Sequence, residues 1–462
     1  MKLSELYQLF GLGMAATGAA SQEDISVANF SIDTRTLKSG DVFVAIRGDN
    51  YDGHDFIADA EKKGAIACIH SRAIPDELIK NKSWFIRVDD TKDALAKCAA
   101  FYRKHTDVKV IGITGSCGKT TTKELLAAIL SQVAPTLFAE SSFNNDIGVP
   151  LTLLRLRPEH RYAVIEMGAN HAGEIEGLTQ LARPDVAIVT NIAPVHIEGF
   201  GSLDVIARTK ADIYHGLLET GTAIWCADDA YAPLFKEDCA GRNCLTFGVE
   251  SSTGDVTADD IQFDARGRVN FELHTPGNTA CCIQLNLLGK HNVLNALAAA
   301  SAAQAPQIPL DVIQRGLATA GPAKHRLTVC EAVNGATLID DCYNASPIAT
   351  RAALEILAGY KHTRIWIFAD MKELGDISDE AHRDVGYYAK KLGINYLFAL
   401  GTATRQAVVA FGSGGTHYAS QAELIQAVLP LLNAETTVLV KGSRSNYLEH
   451  VVSALIPARA TN

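Results

Sequence analysis

The segment at 112–121 has the composition of a phosphate-binding loop. An apolar run at 108–113 precedes it and apolar residues at helical spacing follow it, so it is predicted to join a strand to a helix. Small residues let successive amide groups point inward, and the helix start adds partial positive charge. Lys119 would lie against the outer phosphates and the Thr120 hydroxyl on a magnesium ion. The residues predicted to bind the nucleotide here are Gly115, Ser116, Cys117, Gly118, Lys119, Thr120 and Thr121.

One position of this segment departs from the common phosphate-loop pattern. A glycine is usual five residues before Gly118, and Ile113 stands there. The alternative interpretation is a tight strand-to-helix turn that binds nothing. The order Lys119-Thr120-Thr121 at a helix start has no packing rationale, however, and it favours a polyphosphate ligand.

The composition is typical of a soluble globular protein with more than one domain. With 462 residues the chain is too long for one ordinary core, and two to four domains are expected. Apolar residues make up 47% and charged residues 20%, with no low-complexity block. The net charge of −10 argues against a nucleic-acid surface, which needs clustered Lys and Arg, but it does not exclude a nucleotide.

The cysteines and the N-terminal segment predict a cytoplasmic location. The chain has ten cysteines, including the adjacent pair Cys281-Cys282, and none has the paired spacing of metal ligands, so reduced thiols are expected. Residues 6–20 faintly resemble a signal peptide, but Glu5, Gln8 and three glycines interrupt the apolar stretch, and export is not expected. No stretch approaches the roughly 20 apolar residues that span a bilayer.

Polar residues follow two strands predicted in the part of the chain beyond residue 91. Glu166 follows a strand at 162–165, and His196 comes soon after a strand at 186–189. Parallel strands of a doubly wound sheet bring their carboxyl ends to one ligand crevice. Each residue alone is explained equally well as a surface loop residue. Together, near a phosphate loop, they are predicted to bind the magnesium ion that also contacts Thr120.

A lysine completes an apolar stripe in the segment at 202–217. Leucine and isoleucine recur there at helical spacing, and Lys210 occupies the position that continues the stripe. Its stem could pack while its ammonium reaches water. Alternatively, the crevice needs it, either as a cation against phosphates or as a neutral amine that can react.

The first 90 residues show weaker signals. The glycine-rich polar loop at 47–56 follows a strand, and both a ligand loop and a solvated turn are consistent with it. Residues 220–290 receive no assigned role. Short strands are predicted at 42–46, 65–69 and 84–88, and a helix at 55–63.

A further pair of asparagines and a second α/β pattern follow. Asn292 and Asn295, three residues apart at a helix start, are suited to a base or ribose, although one could instead cap the helix.

A domain boundary is predicted near 320, after which strands and helices alternate again. Polar groups at the predicted strand ends of this second domain are Asp341, Tyr343, Asn344, Asp370, Lys441 and Arg444.

Taken together, these blocks resemble the Mur ligases of peptidoglycan synthesis. Within that family, the blocks at 143–148 (Phe-Asn-Asn-Asp-Ile-Gly) and 370–375 (Asp-Met-Lys-Glu-Leu-Gly), together with Asp33-Thr34-Arg35, favour the member that adds D-alanyl-D-alanine. The Asp-Asn-Pro-Arg motif of the member that adds the diamino acid is absent. The chain departs from the family pattern at Ala369 and Ser346. The blocks that carry the resemblance are 114–120, Glu166-Met167-Gly168, 191–210, Gly289-Lys290-His291-Asn292, His325-Arg326-Leu327 and 341–347.

The resemblance implies three α/β domains and an ATP-dependent amide-bond ligase. Residues 1–90 would form a small domain for UDP-N-acetylmuramoyl tripeptide, 91–320 a doubly wound central ATPase domain, and 321–462 a Rossmann-like domain for D-alanyl-D-alanine. The products would be ADP, phosphate and the extended peptide, formed through an acyl phosphate. A monomer is expected.

The resemblance also implies roles for individual residues. Lys119, Lys210, His196 and Arg326 would be catalytic, with Arg326 at the γ-phosphate. Lys210 would be carbamylated and would help to hold a second magnesium ion. Asn292 and Asn295 would lie at the adenine and Asp341 at the ribose, with Tyr343 nearby. The metal ligands would be Thr120, Glu166, His196 and Lys210, and the UDP-sugar would contact Ser31, Arg35, Arg47 and Asn145.

Two other functions remain open from the sequence. A nucleotide switch would bind ATP or GTP and a protein partner, but it needs no second α/β domain with polar strand ends. A relative of folylpolyglutamate synthase would share the acyl-phosphate chemistry but would require folate and glutamate. The acidic chain and the block Asp33-Thr34-Arg35 favour the Mur ligase interpretation over both.

Overall fold

Three β-sheets follow one another along the chain, each from a separate part of the sequence. The computed structural model describes residues 1–12, 25–74, 85–139, 143–249, 254–264, 266–277 and 279–457. The first sheet has four parallel strands in chain order. Its elements are α1 (Leu3–Leu9), β1 (Phe30–Ser31), β2 (Val42–Val44), α2 (Ile57–Lys62), β3 (Ala67–His70) and β4 (Phe85–Arg87).

The second sheet is the largest and contains the phosphate loop. Its strands are β5 (Lys109–Thr114), β6 (Thr136–Phe138), β7 (Tyr162–Glu166), β8 (Val186–Val189), β9 (Thr222–Cys226), β10 (Asn243–Gly248), β11 (Val256–Phe263), β12 (Arg268–Thr275) and β13 (Thr279–Leu288). They are arranged in the order β13-β12-β11-β10-β9-β8-β5-β7-β6. Strands β5 to β11 run parallel, and β12 and β13 extend the sheet as antiparallel hairpins.

Helices cover both faces of this central sheet, which explains why β5 and β8 are almost entirely apolar and buried. One apolar cluster lies on each face. The helices are α3 (Thr91–Lys104), α4 (Lys119–Leu130), α5 (Gly148–Leu154), α6 (Glu174–Ala182), α7 (Ile197–Phe200), α8 (Leu203–Ala211), α9 (Ala232–Asp238), α10 (His291–Gln304) and α11 (Leu310–Thr319).

The third sheet has five parallel strands and one antiparallel edge strand, β14. Its strands are β14 (Thr328–Glu331), β15 (Thr337–Asp341), β16 (Thr363–Ala369), β17 (Tyr396–Leu400), β18 (Gly415–Tyr418) and β19 (Thr436–Lys441), in the order β14-β15-β19-β16-β17-β18. Its helices are α12 (Pro347–Ala358), α13 (Ser378–Lys391), α14 (Thr404–Phe411), α15 (Gln421–Val428) and α16 (Glu449–Leu455).

The three-part α/β architecture predicted from the sequence is confirmed, and its individual elements are mostly confirmed too. The predicted helix at 55–63 begins as a 3-10 turn, Gly53–Phe56, and continues as α2. Strands β14 and β18 were not predicted, and residues 220–290 form β9 to β13. Trp84, placed in a predicted strand at 84–88, lies outside the described residues. Domain limits at 90 and 320 stay predictions. Within the described part, no helix has both the length and the apolarity to cross a membrane.

Candidate active site

The phosphate loop lies between β5 and α4, and its two glycines are required by close contacts. Gly115 and Gly118 have φ angles of 138° and 84°. A Cβ atom at Gly115 would overlap the Thr190 hydroxyl, and one at Gly118 would overlap the Asn295 side-chain oxygen. Neither position could therefore carry a side chain without moving its neighbours.

The start of α4 and the loop lysine are the parts of this loop that could bind an anion, because the amides of Ser116 and Cys117 already donate to Asn191 (2.9 and 3.0 Å). No side chain caps the start of α4, so its first amide groups are available to an anion. Lys119 Nζ donates to the backbone oxygens of Gly115 (2.8 Å) and Ser116 (3.2 Å), so the ammonium folds back over the loop. Burial lowers the pKa of Lys119, and the nearby Glu166 carboxylate partly offsets this effect. The loop therefore concentrates amide hydrogens and a cation, as a polyphosphate requires.

Glu166, at the end of β7, is buried and only half satisfied. Its Oε1 accepts a hydrogen bond from Asn144 Nδ2 (2.8 Å), whereas its Oε2 has no hydrogen-bond partner among the described residues. A buried carboxylate oxygen without a partner is unfavourable unless a cation or a donor occupies the space beside it. Magnesium prefers such oxygen ligands, and the buried Thr120 hydroxyl of the same loop supplies another. The residues present therefore fit a magnesium ion.

His196 lies just before α7, in the left-handed backbone region at φ 54°. Its Nδ1 contacts the carboxylate of Glu373 from the third sheet, and the hydrogen bond from His196 lowers the pKa of Glu373. Glu373 belongs to the block at 370–375 that the sequence singled out, but its partner was not predicted. The two residues are 177 positions apart in the chain, so no local pattern could reveal the contact.

Lys210 is buried on α8, with 2% of its surface exposed. Its Nζ lies 5.4 Å from the centre of the Phe200 ring, and no acidic side chain among the described residues pairs with it. Burial, reinforced by the charge of Lys119, lowers the pKa of Lys210 to about 7. The interpretation that its ammonium reaches water is thus wrong, and the prediction that it faces the interior is confirmed.

The asparagines of α10 pack against the phosphate loop. Asn292 Nδ2 donates to Leu288 O (2.8 Å), and Asn295 Nδ2 donates to Asn292 Oδ1 (2.8 Å). Neither caps the helix through a side-chain hydrogen bond. Both are buried, and the Asn295 oxygen faces Gly118. Their proposed contact with adenine stays a prediction.

Arg326 brings the third part of the chain to the phosphate loop. Its Nη2 donates to Thr120 Oγ1 (3.2 Å), and its guanidinium stacks on Tyr343 at 4.4 Å from the ring centre. Asp341, at the end of β15, is buried and pairs with Lys441 Nζ at 2.5 Å. The C-terminal part of the chain therefore meets the central sheet at the phosphate loop.

The residues predicted to bind the UDP-sugar make mainly local contacts. Ser31 Oγ donates to Asp33 O (3.0 Å), and Arg35 pairs with the Asp33 carboxylate at 2.7 Å while remaining exposed. Arg47 is exposed in its loop. Asn145 Oδ1 accepts from Gly148 N (2.9 Å) and so holds the start of α5. Their contacts with a substrate stay predictions.

A cavity of about 740 Å³ opens beside the start of α10 and was not predicted. It lies between the turn that joins β11 to β12 and the C-terminal half of α12. Residues from position 228 to position 360 contribute to it, so no sequence pattern could have revealed it. Its charged and aromatic lining includes Asp228, Phe263, Arg266, His291, Glu355 and Tyr360.

The structure has a phosphate loop on a doubly wound sheet, residues that fit a magnesium ion, and an arginine that reaches the loop from a second α/β unit. These features define a nucleotide-dependent enzyme of several domains. The chain belongs to the Mur ligase family. Family models match residues 26–103 (Mur ligase family, catalytic domain), 113–303 (Mur ligase middle domain) and 325–444 (Mur ligase, glutamate ligase domain). The predicted family and enzyme class, an ATP-dependent peptide ligase, are confirmed.

Several relatives align with nearly the whole chain. A UDP-N-acetylmuramoyl-tripeptide--D-alanyl-D-alanine ligase from Escherichia coli is 40% identical over 441 residues, which are 95% of this chain and 96% of that protein. A crystal structure of MurF from Acinetobacter baumannii matches with a TM-score of 0.87 and 34% identity over 97% of each chain. MurF from Thermotoga maritima, solved in complex with ADP, matches with a TM-score of 0.81 and 28% identity, over 94% of this chain and 98% of that one.

Proposed function

We propose that this protein uses ATP to join D-alanyl-D-alanine to UDP-N-acetylmuramoyl tripeptide in the cytoplasm. The observation that carries the proposal is the phosphate loop, whose Thr120 hydroxyl contacts Arg326, two residues before β14 of the third sheet. Relatives that carry this activity in their names align with almost the entire chain. All ten cysteines are free thiols, which suits a reducing compartment.

Thr120, Glu166 and His196 are the residues that we propose to hold Mg²⁺. The unpartnered Oε2 of Glu166 is the main support, because it offers a buried anionic oxygen beside the phosphate loop. Bound Mg²⁺ would supply positive charge opposite the triphosphate.

We propose that Lys210 reacts with carbon dioxide to form a carbamate. The neutral amine attacks the carbon atom, an N–C bond forms, and the nitrogen releases a proton, which leaves an anionic carboxylate on the side chain. A pKa of about 7 supports this step, because it leaves a large fraction of the amine neutral at physiological pH. A buried anion beside the predicted metal site could then act as a further metal ligand.

The remaining residues of the site suit phosphoryl transfer to a carboxylate. The peptide carboxylate is a poor electrophile until it receives the γ-phosphoryl group. Lys119 and Arg326 would oppose the negative charge that develops during this transfer. The amine of the dipeptide then attacks the acyl phosphate and phosphate leaves. Asn292, Asn295 and Asp341 would hold the adenosine, with Tyr343 beside them.

At the N-terminal sheet, Ser31, Arg35, Arg47 and Asn145 would contact the UDP-sugar. The exposed guanidinium groups of Arg35 and Arg47 are the chief support, since the diphosphate carries negative charge. The N-terminal sheet would thus bind the nucleotide end of one substrate while the central sheet binds ATP.

Phosphate release tests this function directly. Purified protein is given ATP and Mg²⁺ with both substrates, then with each substrate omitted in turn. Release that requires both UDP-N-acetylmuramoyl tripeptide and D-alanyl-D-alanine supports the proposal. Release without the dipeptide would favour a nucleotide switch, and release dependent on folate and glutamate would favour a folylpolyglutamate synthase. Sedimentation of the same preparation tests the expected monomer.

A further inference from the structure

We propose that Glu373 is a positioning residue for His196, so that the C-terminal sheet completes the metal site of the central sheet. This inference rests on the proposed function, in which His196 is a metal ligand. Nothing in the sequence links the two residues, and Glu373 itself is not proposed to contact substrate or metal.

The contact selects one nitrogen of the imidazole ring. Because an ionised carboxylate can only accept, Nδ1 would carry the hydrogen at this contact with Glu373. In the neutral ring, Nε2 then keeps its lone pair and is available to a cation. Metal-bound histidines commonly donate their other ring N–H to a carboxylate, which fixes both the tautomer and the ring orientation.

The turn that presents Glu373 is anchored to the C-terminal sheet. Met371 N donates to His382 Nε2 (3.0 Å), and Lys372 N donates to Ser443 Oγ (2.9 Å). Glu373 itself has φ 63°, a left-handed conformation that is unfavourable for a residue with a side chain. The backbone of this turn is therefore held by its own domain rather than by His196.

A second contact crosses the same boundary. Glu198 N, in α7, donates to Glu373 O (3.4 Å), and a Cβ atom at Gly375 would lie in ordinary contact with Glu198. The same short helix ends at Phe200, whose ring lies beside Lys210 Nζ. One segment, α7, thus connects the C-terminal turn with His196 and Lys210, two of the side chains proposed for the metal site.

A purely stabilising role does not explain the contact. The Glu373 side chain is 49% exposed, and an ion pair at such a position contributes little to folding stability. Both residues also adopt left-handed backbone, which opposes stability. The contact between Glu373 and His196 is instead suited to orienting the imidazole ring of His196.

The test compares Mn²⁺ binding in four proteins, measured by electron paramagnetic resonance with a non-hydrolysable ATP analogue. We expect Glu373→Ala to weaken Mn²⁺ binding about 10- to 100-fold. Glu373→Gln, whose side-chain oxygen can still accept from Nδ1, should recover part of this loss. Glu380→Ala removes an exposed carboxylate from α13 and should bind Mn²⁺ like the wild type. The imidazole nitrogen shifts of His196 should change only in the position 373 variants.

The outcomes separate this inference from the proposed function. If the wild type binds Mn²⁺ and consumes both substrates, while Glu373→Ala binds Mn²⁺ within about twofold of it and keeps the His196 tautomer, the positioning role is wrong and the function stands. If the wild type forms no product from the two substrates, the proposed function fails whatever the variants do.

Discussion

Replacing Lys210 by methionine should stabilise the protein and abolish its activity. The methionine side chain has a similar length, carries no charge and packs favourably beside an aromatic ring such as Phe200. Wild-type Lys210 makes no salt bridge among the described residues, and the attraction of the Glu174 carboxylate only partly offsets the desolvation of its ammonium.

The lowered pKa gives the size and pH dependence of this stabilisation. Lowering the pKa from 10.5 to about 7 corresponds to at most about 5 kcal/mol. Between these two values the unfolded chain binds more protons than the folded protein, so wild-type stability rises with pH. The advantage of Lys210→Met should therefore be about 5 kcal/mol near pH 6 and fall to about 1 kcal/mol near pH 9.5.

Native-state hydrogen exchange in buffer free of carbon dioxide can measure this difference for the central sheet alone. Lys123→Met is the matched control, because Lys123 is equally buried but donates to Ala139 O at 2.5 Å and pairs with Glu124 at 3.0 Å. That variant should lose about 1–3 kcal/mol of stability, since it leaves buried partners unsatisfied. A Lys210→Met protein no more stable than the wild type near pH 6 would refute the reasoning.

Three further variants test the site. Lys210→Ala should eliminate phosphate release, and small carboxylates such as acetate should partly restore it; full activity without additives would rule out the carbamate. Arg326→Lys should lower kcat about 100-fold in the same assay, because lysine lacks the planar guanidinium that both stacks on Tyr343 and reaches Thr120. An unchanged kcat would show that Arg326 does not stabilise the charge that develops during phosphoryl transfer. Glu166→Gln should weaken Mn²⁺ binding about tenfold or more while keeping an acceptor for Asn144; wild-type affinity would contradict a metal at Glu166.

Many features of the structure could be predicted from residues that are close together in the chain. The phosphate loop needs small residues, a lysine and a helix start within a few positions, so its sequence alone identifies it. Lys210 was found in the same way, because a helix repeats its buried face every three to four residues. The strands at 162–165 and 186–189 were predicted correctly from short apolar runs that end in polar residues.

Other elements carried a readable signal that was missed. Strand β12 alternates between buried and partly buried positions along its whole length, with Val269, Phe271 and Leu273 inward. This period of two marks an antiparallel strand that is covered on one face. The edge strands β14 and β18 carried a weaker sequence signal, because a strand of four residues is too short to show a repeating pattern of buried positions.

By itself, the sequence indicated most of the strands and helices outside residues 220–290, predicted where phosphates would bind and determined that one lysine faces the interior. These features depend on residues that are close together in the chain. Only the tertiary structure decided that Arg326 reaches Thr120 and that Glu373 meets His196. Those contacts arise from the order of strands in two sheets and from how the sheets pack together, and no local spacing encodes either.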